Sequence, residues 1–172
     1  MLDVTKDVDW ASFGRIGIFV DSSNVFHSQP KMGWTVDFKK FIQFLKKRGN
    51  VTKIIIYYCR AKLDERFVGM LGAAGYEVRK KLAKQYFNGQ LKADMDVNLT
   101  LDAVRFMSLY DTFFLVGGDS DFAPLVEYLK THNKKSIVLS YRDAISGELL
   151  DQTDLFLHFD MFEKHIKRRD LI

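Results

Sequence analysis

Asp119 and Asp121 stand two residues apart in the stretch "LVGGDSDFAPLV", and residues 115–126 contain no Lys or Arg. One aspartate after an apolar run is commonly a helix cap, because its carboxylate accepts a hydrogen bond from an orphan N–H of the first turn. That task takes one carboxylate. A second beside it raises the cost of ionising both, a cost that a bound cation removes. Two more acids are placed alike: Asp21 directly after the apolar run "RIGIFV", with Asn24 three residues on, and Asp96 early in the helical pattern "DMDVNLTLDAVRFMSLY". Taken singly, capping accounts for them: Asp121 caps a helix with Pro124 in the turn behind it, and Asp94 caps its own helix. Taken together, four carboxylates from three separate segments suit hard cations with oxygen ligands, Mg²⁺ or Mn²⁺. Two such ions about 3.5–4 Å apart would hold the attacking water and the leaving oxygen of a phosphodiester displacement. The chemistry expected is therefore hydrolysis of nucleic acid, with Asp94 as a candidate fifth acid.

These acids need a scaffold that brings distant segments together. "RIGIFV" (15–20), "KIIIYY" (53–58), "TFFLVG" (112–117) and "KSIVLS" (135–140) are short, continuous β-branched or aromatic runs, as strands covered on both faces read. A shorter run, "YEVRK" (76–80), follows the glycine that ends "AAG". Helical patterns lie between them at 36–49, 64–75, 94–110 and 121–132. The alternation predicts an α/β fold, a three-layer sandwich with a mostly parallel central sheet of Rossmann-like type. In such sheets ligands sit at the carboxyl ends of the strands, near the point where strand order reverses. Asp21, Asp119 and Asp121 fall just past strands, and Asp96 begins a helix at the same rim. Arg60, just past "IIIYYC", and Ser140, closing "KSIVLS", occupy that rim too and are candidate substrate contacts. Arg60 reads equally as a surface residue ending a strand.

With 172 residues, 47% apolar and 28% charged, the chain is large enough for one well-buried core, so a single domain over 1–172 is expected. Residues 1–13 and the basic tail 161–172 read as peripheral. The net charge of +4 is modest, but the run from Val78 to Ala93 holds Arg79, Lys80, Lys81, Lys84 and Lys92 with no acid, and Tyr86 and Phe87 within it. Cations interleaved with aromatics suit a polyanion whose bases can stack; a solvated surface strand is the plainer account. The first residues lack the basic start and apolar middle of a signal peptide, and no segment approaches the roughly 20 apolar residues that cross a bilayer. Cys59 stands alone inside "IIIYYCRA", which suits a reducing, cytoplasmic setting and a buried thiol. Trp10, Trp34 and Phe162 are aromatics that would mark a homodimer contact if exposed and core if buried.

The blocks "IGIFVDSSNVF", "ADMDVNLTLDAV" and "FFLVGGDSDFAPLVEYLKTHNKKSIVLS" resemble the signature blocks of the NYN domain, the LabA-like branch of the PIN-like nuclease superfamily. The likeness runs in order from about residue 15 to residue 160, with "ISGELLDQTDLFLHFD" similar to that family's last helix and terminal strand. It implies a metal-dependent ribonuclease fold using Mg²⁺ or Mn²⁺, with Asp21, Asp96, Asp119 and Asp121 as the acidic cluster, Asn24 supporting it, and RNA as partner. Where family members read Lys-Gly-x-Asp-Val, this chain reads "KADMDV", which sets Lys92 four residues ahead of Asp96 and Asp94 where glycine is common. Lys92 joins Arg60 and Ser140 as a candidate substrate contact. Asp102, further along the same block, reads as a packing or salt-bridging residue.

Other Asp-bearing sites fit less well. A von Willebrand-type module needs Asp-x-Ser-x-Ser, and Val25 stands where the second serine belongs. A haloacid-dehalogenase phosphatase needs Asp-x-Asp where Ser23 stands, and a Toprim domain needs Glu where Asp21 stands. Neither a Walker loop, a dinucleotide Gly-x-Gly-x-x-Gly nor a Gly-x-Ser-x-Gly elbow occurs. The remaining alternative is a non-catalytic RNA-binding or regulatory module that keeps the nuclease fold.

Overall fold

The computed structural model describes residues 3–85, 91–92 and 94–168, with the backbone alone given at 85, 91 and 92. In chain order, β1 (Arg15–Asp21) leads into α1 (Ser22–Met32) and α2 (Phe38–Arg48), then β2 (Asn50–Arg60), α3 (Glu65–Ala74) and β3 (Glu77–Leu82). The two-residue strands β4 (Lys84–Gln85) and β5 (Leu91–Lys92) form an antiparallel pair of their own. There follow α4 (Asp96–Arg105), β6 (Thr112–Val116), α5 (Ala123–Thr131), β7 (Lys135–Ser140), α6 (Gly147–Gln152), β8 (Leu155–His158) and α7 (Glu163–Ile166).

Six strands build one sheet in the order β3-β2-β1-β6-β7-β8, and every neighbouring pair is parallel. This is the α/β architecture expected. The reason is visible in burial: Ile54 to Cys59 in β2 and Thr112 to Val116 in β6 are buried at consecutive positions, which only a sheet covered on both faces allows. One apolar layer gathers Trp10, Phe41, Leu45, Phe114 and Phe162. The opposite layer gathers Phe19, Tyr57, Leu99, Phe113 and Leu125 beneath α4 and α5.

Several boundaries and placements differ from the sequence reading. β2 runs the full span 50–60, and α4 stops at Arg105 before a separate 3₁₀ turn at Met107–Leu109. Both ends of the chain contribute core: Val4 and Trp10 are buried, with the indole N–H donating to the Val4 carbonyl at 2.8 Å, and Phe162 and Ile166 are fully buried. Their apolar residues lie too far apart among charged ones to show a period, so the segments looked peripheral. Residues 169–172 of the basic tail lie outside the described residues. Trp10, Trp34 and Phe162 are all buried in this chain's own core, so they mark no dimer contact. Among the described residues no helix is long and apolar enough to cross a membrane.

Candidate functional site

The strand order reverses between β1 and β6, and the register pairs Val20 with Val116. Asp21 and Gly117 are therefore level at neighbouring carboxyl ends, about 4.8 Å apart across the sheet. A Cβ built on Gly117 would stand 3.4 Å from the Cβ of Asp21 and 3.8 Å from that of Asn24. The turn after β6 thus lies directly against the start of α1. At Gly118 a Cβ would run into the Ala144 carbonyl and the Ser140 hydroxyl, so only glycine lets this turn press under the 141–146 loop. Asp119 follows immediately.

Each acid enters the site by a local rule. Asp21 ends β1 and caps α1, its Oδ1 accepting from the N–H groups of Ser23 (2.9 Å) and Asn24 (3.4 Å). The capping expected of Asp121 falls to Asp119 instead, whose Oδ1 accepts from the Asp121 N–H at 3.1 Å and opens the 3₁₀ turn Ser120–Phe122. Asp121 is exposed beyond it. Nor does Asp94 cap α4: Met95 holds that position without a side-chain bond, and Asp96 is the first helical residue. The Asp94 carbonyl accepts from Lys81 Nζ at 3.4 Å.

The carboxylates act on one another. Burial raises the Asp21 carboxyl above its usual range, its two backbone hydrogen bonds oppose the rise, and the charges of Asp119 and Asp94 add to it. Asp96 is pushed up to about 6, first by burial and then by Asp21, Asp94, Asp119 and Asp121. All four predicted acids, with Asp94, therefore share one field. Among the described residues, however, no three His, Cys, Asp or Glu side chains are grouped tightly enough to hold an ion as placed.

Asn24 Oδ1 and Ser140 Oγ are buried with no hydrogen-bond partner among the described residues. They stand on either side of the Gly117–Gly118 turn. Buried polar atoms seldom stay unpaired, and two at one rim are what a ligand-binding cleft would leave. The donor set is all oxygen, which suits Mg²⁺ or Mn²⁺. Arg60 ends β2 and lays its guanidinium over the Phe26 ring of α1, 4.3 Å from the centroid, so it is held at the rim. The Lys92 side chain, Tyr86 and Phe87 lie outside the described residues. Of the basic run, Arg79 pairs with Glu77 and Asp102, and Lys80 with Glu65, which suits a surface strand. Asp102 also accepts from the buried Tyr57 hydroxyl at 3.0 Å and from Arg105. It is a packing and ion-pairing residue.

Three residues escaped sequence reasoning. Arg142, two residues past Ser140, donates from Nη2 to His158 Nε2 at 2.8 Å. That bond needs an unprotonated Nε2, so the imidazole proton sits on Nδ1, which faces Asp160 at 3.5 Å. Burial, and then the Arg142 charge, lower the His158 pKa and keep the ring neutral. His158 is level with Ser140 in the sheet, so Arg142 stands on the same rim. Reading two residues past Ser140 shows its charge, but not the ring that holds it. Glu148 joins Asp96, Val97, Leu101, Asp121 and Pro124 around a cleft of about 540 Å³ between α4 and the start of α5. Its segment read as the family's last helix, which the Ser146 cap starts, but nothing in that reading placed Glu148 beside the acids.

The NYN domain profile matches residues 15–160. The low amplitude and bright protein LabA of Synechococcus elongatus is 26% identical over 166 residues, covering 91% of this chain and 89% of that protein. A crystal structure of a protein of unknown function from Vibrio parahaemolyticus superposes with a TM-score of 0.78 at 30% identity, covering 90% of this chain and 96% of that one. The aligned span runs from the start of the first strand to two residues past the last, so it takes in every segment that carries an acid of the rim, and the chain belongs to the NYN domain family.

Proposed function

We propose that this protein hydrolyses phosphodiester bonds in RNA with a divalent cation, Mg²⁺ or Mn²⁺, held by Asp21, Asp96, Asp119 and Asp121. The carrying observation is the shared field: Asp96 is lifted to about 6 by burial and by acids from three other points of the chain. A divalent cation bound there would supply the acidity that ionises a water and the charge that offsets the scissile phosphate. The chain's own groups prepare that chemistry. The backbone N–H groups of Ser23 and Asn24 hold the Asp21 carboxylate in one orientation. Asn24 offers a buried oxygen without adding negative charge. Arg142, fixed by His158, presents a cation to a neighbouring phosphate of the strand. The cleft beside Asp96 and Asp121 gives a nucleotide room, with Val97 and Leu101 as an apolar wall. Membership of the NYN family, with its likeness to PIN-like nucleases, favours RNA. Products would carry 5′-phosphate and 3′-hydroxyl ends.

The looseness of the acid group favours a second reading, a non-catalytic RNA-binding or regulatory module on the same fold. The two separate in one experiment. Single-stranded and structured RNA are incubated with the protein in Mn²⁺ or chelator, beside Asp121→Asn and Lys92→Ala. Metal-dependent cleavage lost in Asp121→Asn supports hydrolysis. Metal-independent binding lost in Lys92→Ala, with no products, supports the module.

A further inference from the structure

Helix α2 carries Lys39, Lys40, Lys46, Lys47 and Arg48 and no acid between residues 38 and 48. Its buried face is Phe38, Phe41, Ile42, Phe44 and Leu45, so the cations are forced outward along one side. Lys40, Gln43, Lys47 and Arg48 fall at helical spacing on a common strip. With Phe44 and with His165 from α7, they line a concavity of about 270 Å³ that has no carboxylate among its described lining residues. It is organised rather than loose. The Arg48 guanidinium stands 5.3 Å from the centre of the Phe44 ring, and the His165 ring packs on the other contact of Phe44 at 4.9 Å. Arg48 Nη1 also donates to the Thr5 carbonyl and Lys40 Nζ to the Lys167 carbonyl, which hold both head groups in place. Nearby acids are already engaged: Asp37 at 3.9 Å from Lys40, Glu163 with Lys167, and Asp3 with Thr5. Lys47 has no acidic partner among the described residues.

We propose that this concavity binds the phosphodiester backbone of a single-stranded polynucleotide, at a second contact remote from the acidic rim. Three cationic side chains with Gln43 as a further donor match a phosphate, and Arg supplies the paired donors that phosphate oxygens take. The recognition is of backbone alone, because Phe44 is largely buried and offers no open ring on which a base could stack. The location sets the length of strand. Gly49 joins α2 to β2 at Asn50, and Asn50 pairs with Arg15 at the start of β1. Arg48 therefore stands at the opposite edge of the sheet from Asp21, six residue steps along β1, or roughly 20 Å. At about 3.4 Å per nucleotide of stacked strand, about six nucleotides are needed to reach both. The choice of RNA as the polynucleotide rests on the function proposed above; the phosphate contact does not.

The test measures RNA binding against salt in chelator, so that no turnover enters. An oligouridine of about 20 nucleotides, longer than the roughly 4–16 that a compact site covers, is set beside a short one. Each phosphate contact on a single strand adds about 0.7 to the slope of log affinity against log salt. Lys47→Gln with Arg48→Gln should flatten the slope for the long strand by about 1.4 and leave the short strand unchanged. Lys47→Gln alone, which keeps the contacts of Arg48 with Phe44 and Thr5, should flatten it by about 0.7. Lys130→Gln, on the exposed side of α5, is the charge-matched control and should change nothing. An unaltered slope, equal losses on both strands, competition by inorganic phosphate as strong as by the long strand, or binding of phosphatidylserine vesicles in place of RNA would overturn the proposal. An inactive protein that passes this test loses only the hydrolytic reading; an active one that fails it loses only the second contact.

Discussion

Asp96→Asn should stabilise the metal-free protein at neutral pH, contrary to the usual effect of altering a site residue. The Asp96 carboxyl is lifted from 3.8 to about 6, which at 1.36 kcal/mol per pH unit corresponds to about 3 kcal/mol. The carboxylate is about half open to solvent, and screening reduces this to about 1.5 kcal/mol. Asp96 is also the first residue of α4, where its negative charge gains about 0.3–1 kcal/mol from the helix N-terminus. The net gain from Asp96→Asn is about 0.5–1 kcal/mol. At about 2–4 °C per kcal/mol for a chain of this size, the unfolding midpoint rises by about 1–4 °C. The sign in pH follows from linkage. The folded protein keeps the Asp96 proton to a higher pH than the unfolded chain, so its contribution is favourable below about pH 3.8 and is lost as pH rises through about 6. The advantage of the variant is absent near pH 4 and complete by about pH 7. Scanning calorimetry in chelator at both pH values reads it, and saturating Mn²⁺ should reverse the order at neutral pH. No gain at pH 7, or an equal gain near pH 4, would refute the shared field.

Gly118→Ala drives a Cβ into the Ala144 carbonyl, which is backbone and cannot step aside; it should cost about 1–3 kcal/mol in urea unfolding, and an unmoved midpoint contradicts the tight turn. Tyr57→Phe removes the hydroxyl that donates to buried Asp102 and should cost about 1–2 kcal/mol while leaving RNA cleavage at the wild-type rate; loss of cleavage at wild-type stability would place Asp102 in the site after all. His158, with its pKa held below 6.5 by burial and Arg142, contributes stability that is full above 6.5 and lost as pH falls through its folded value. Comparing wild type with His158→Gln from pH 7 downward should show the wild type losing more; parallel curves would mean that the ring is not held neutral.

What was legible in the sequence was whatever has a period or a position rule behind it. β1, β2, β6 and β7 announce themselves because strands covered on both faces need apolar residues at successive positions, and the acids of the rim follow from where such strands end. α1 does not. Its buried positions are Ser22, Val25 and Ser28, so two of its three inward residues are polar and no apolar stripe appears; only the Asp21 cap and the left-handed Gly33 at its end bracket it. β8 has four residues, too few to display alternation or continuity, so it was legible only through the family likeness of "ISGELLDQTDLFLHFD", which gives no register for pairing Ser140 with His158. Arg142 was hidden for the same reason, since its role depends on a ring from that strand. The chain ends misled in the other direction, because Val4, Trp10, Phe162 and Ile166 are isolated apolar residues in charged surroundings and fill the core singly.

Capping and cation binding were opposed as explanations of the acids, but the two are compatible. Asp21 and Asp119 both accept backbone N–H bonds from the turns that they start. Such bonds favour the charged form of a carboxyl and fix which oxygen faces the turn. At Asp21 they counter the rise that burial imposes. At Asp96 no hydrogen bond opposes the rise, and there the carboxyl climbs to about 6. Asp96 gains from the N-terminus of α4, but that gain of about 0.3–1 kcal/mol is smaller than the cost that its raised carboxyl carries. The placement of Asp96 is therefore the feature that capping leaves unexplained, and the divalent cation proposed above would account for it.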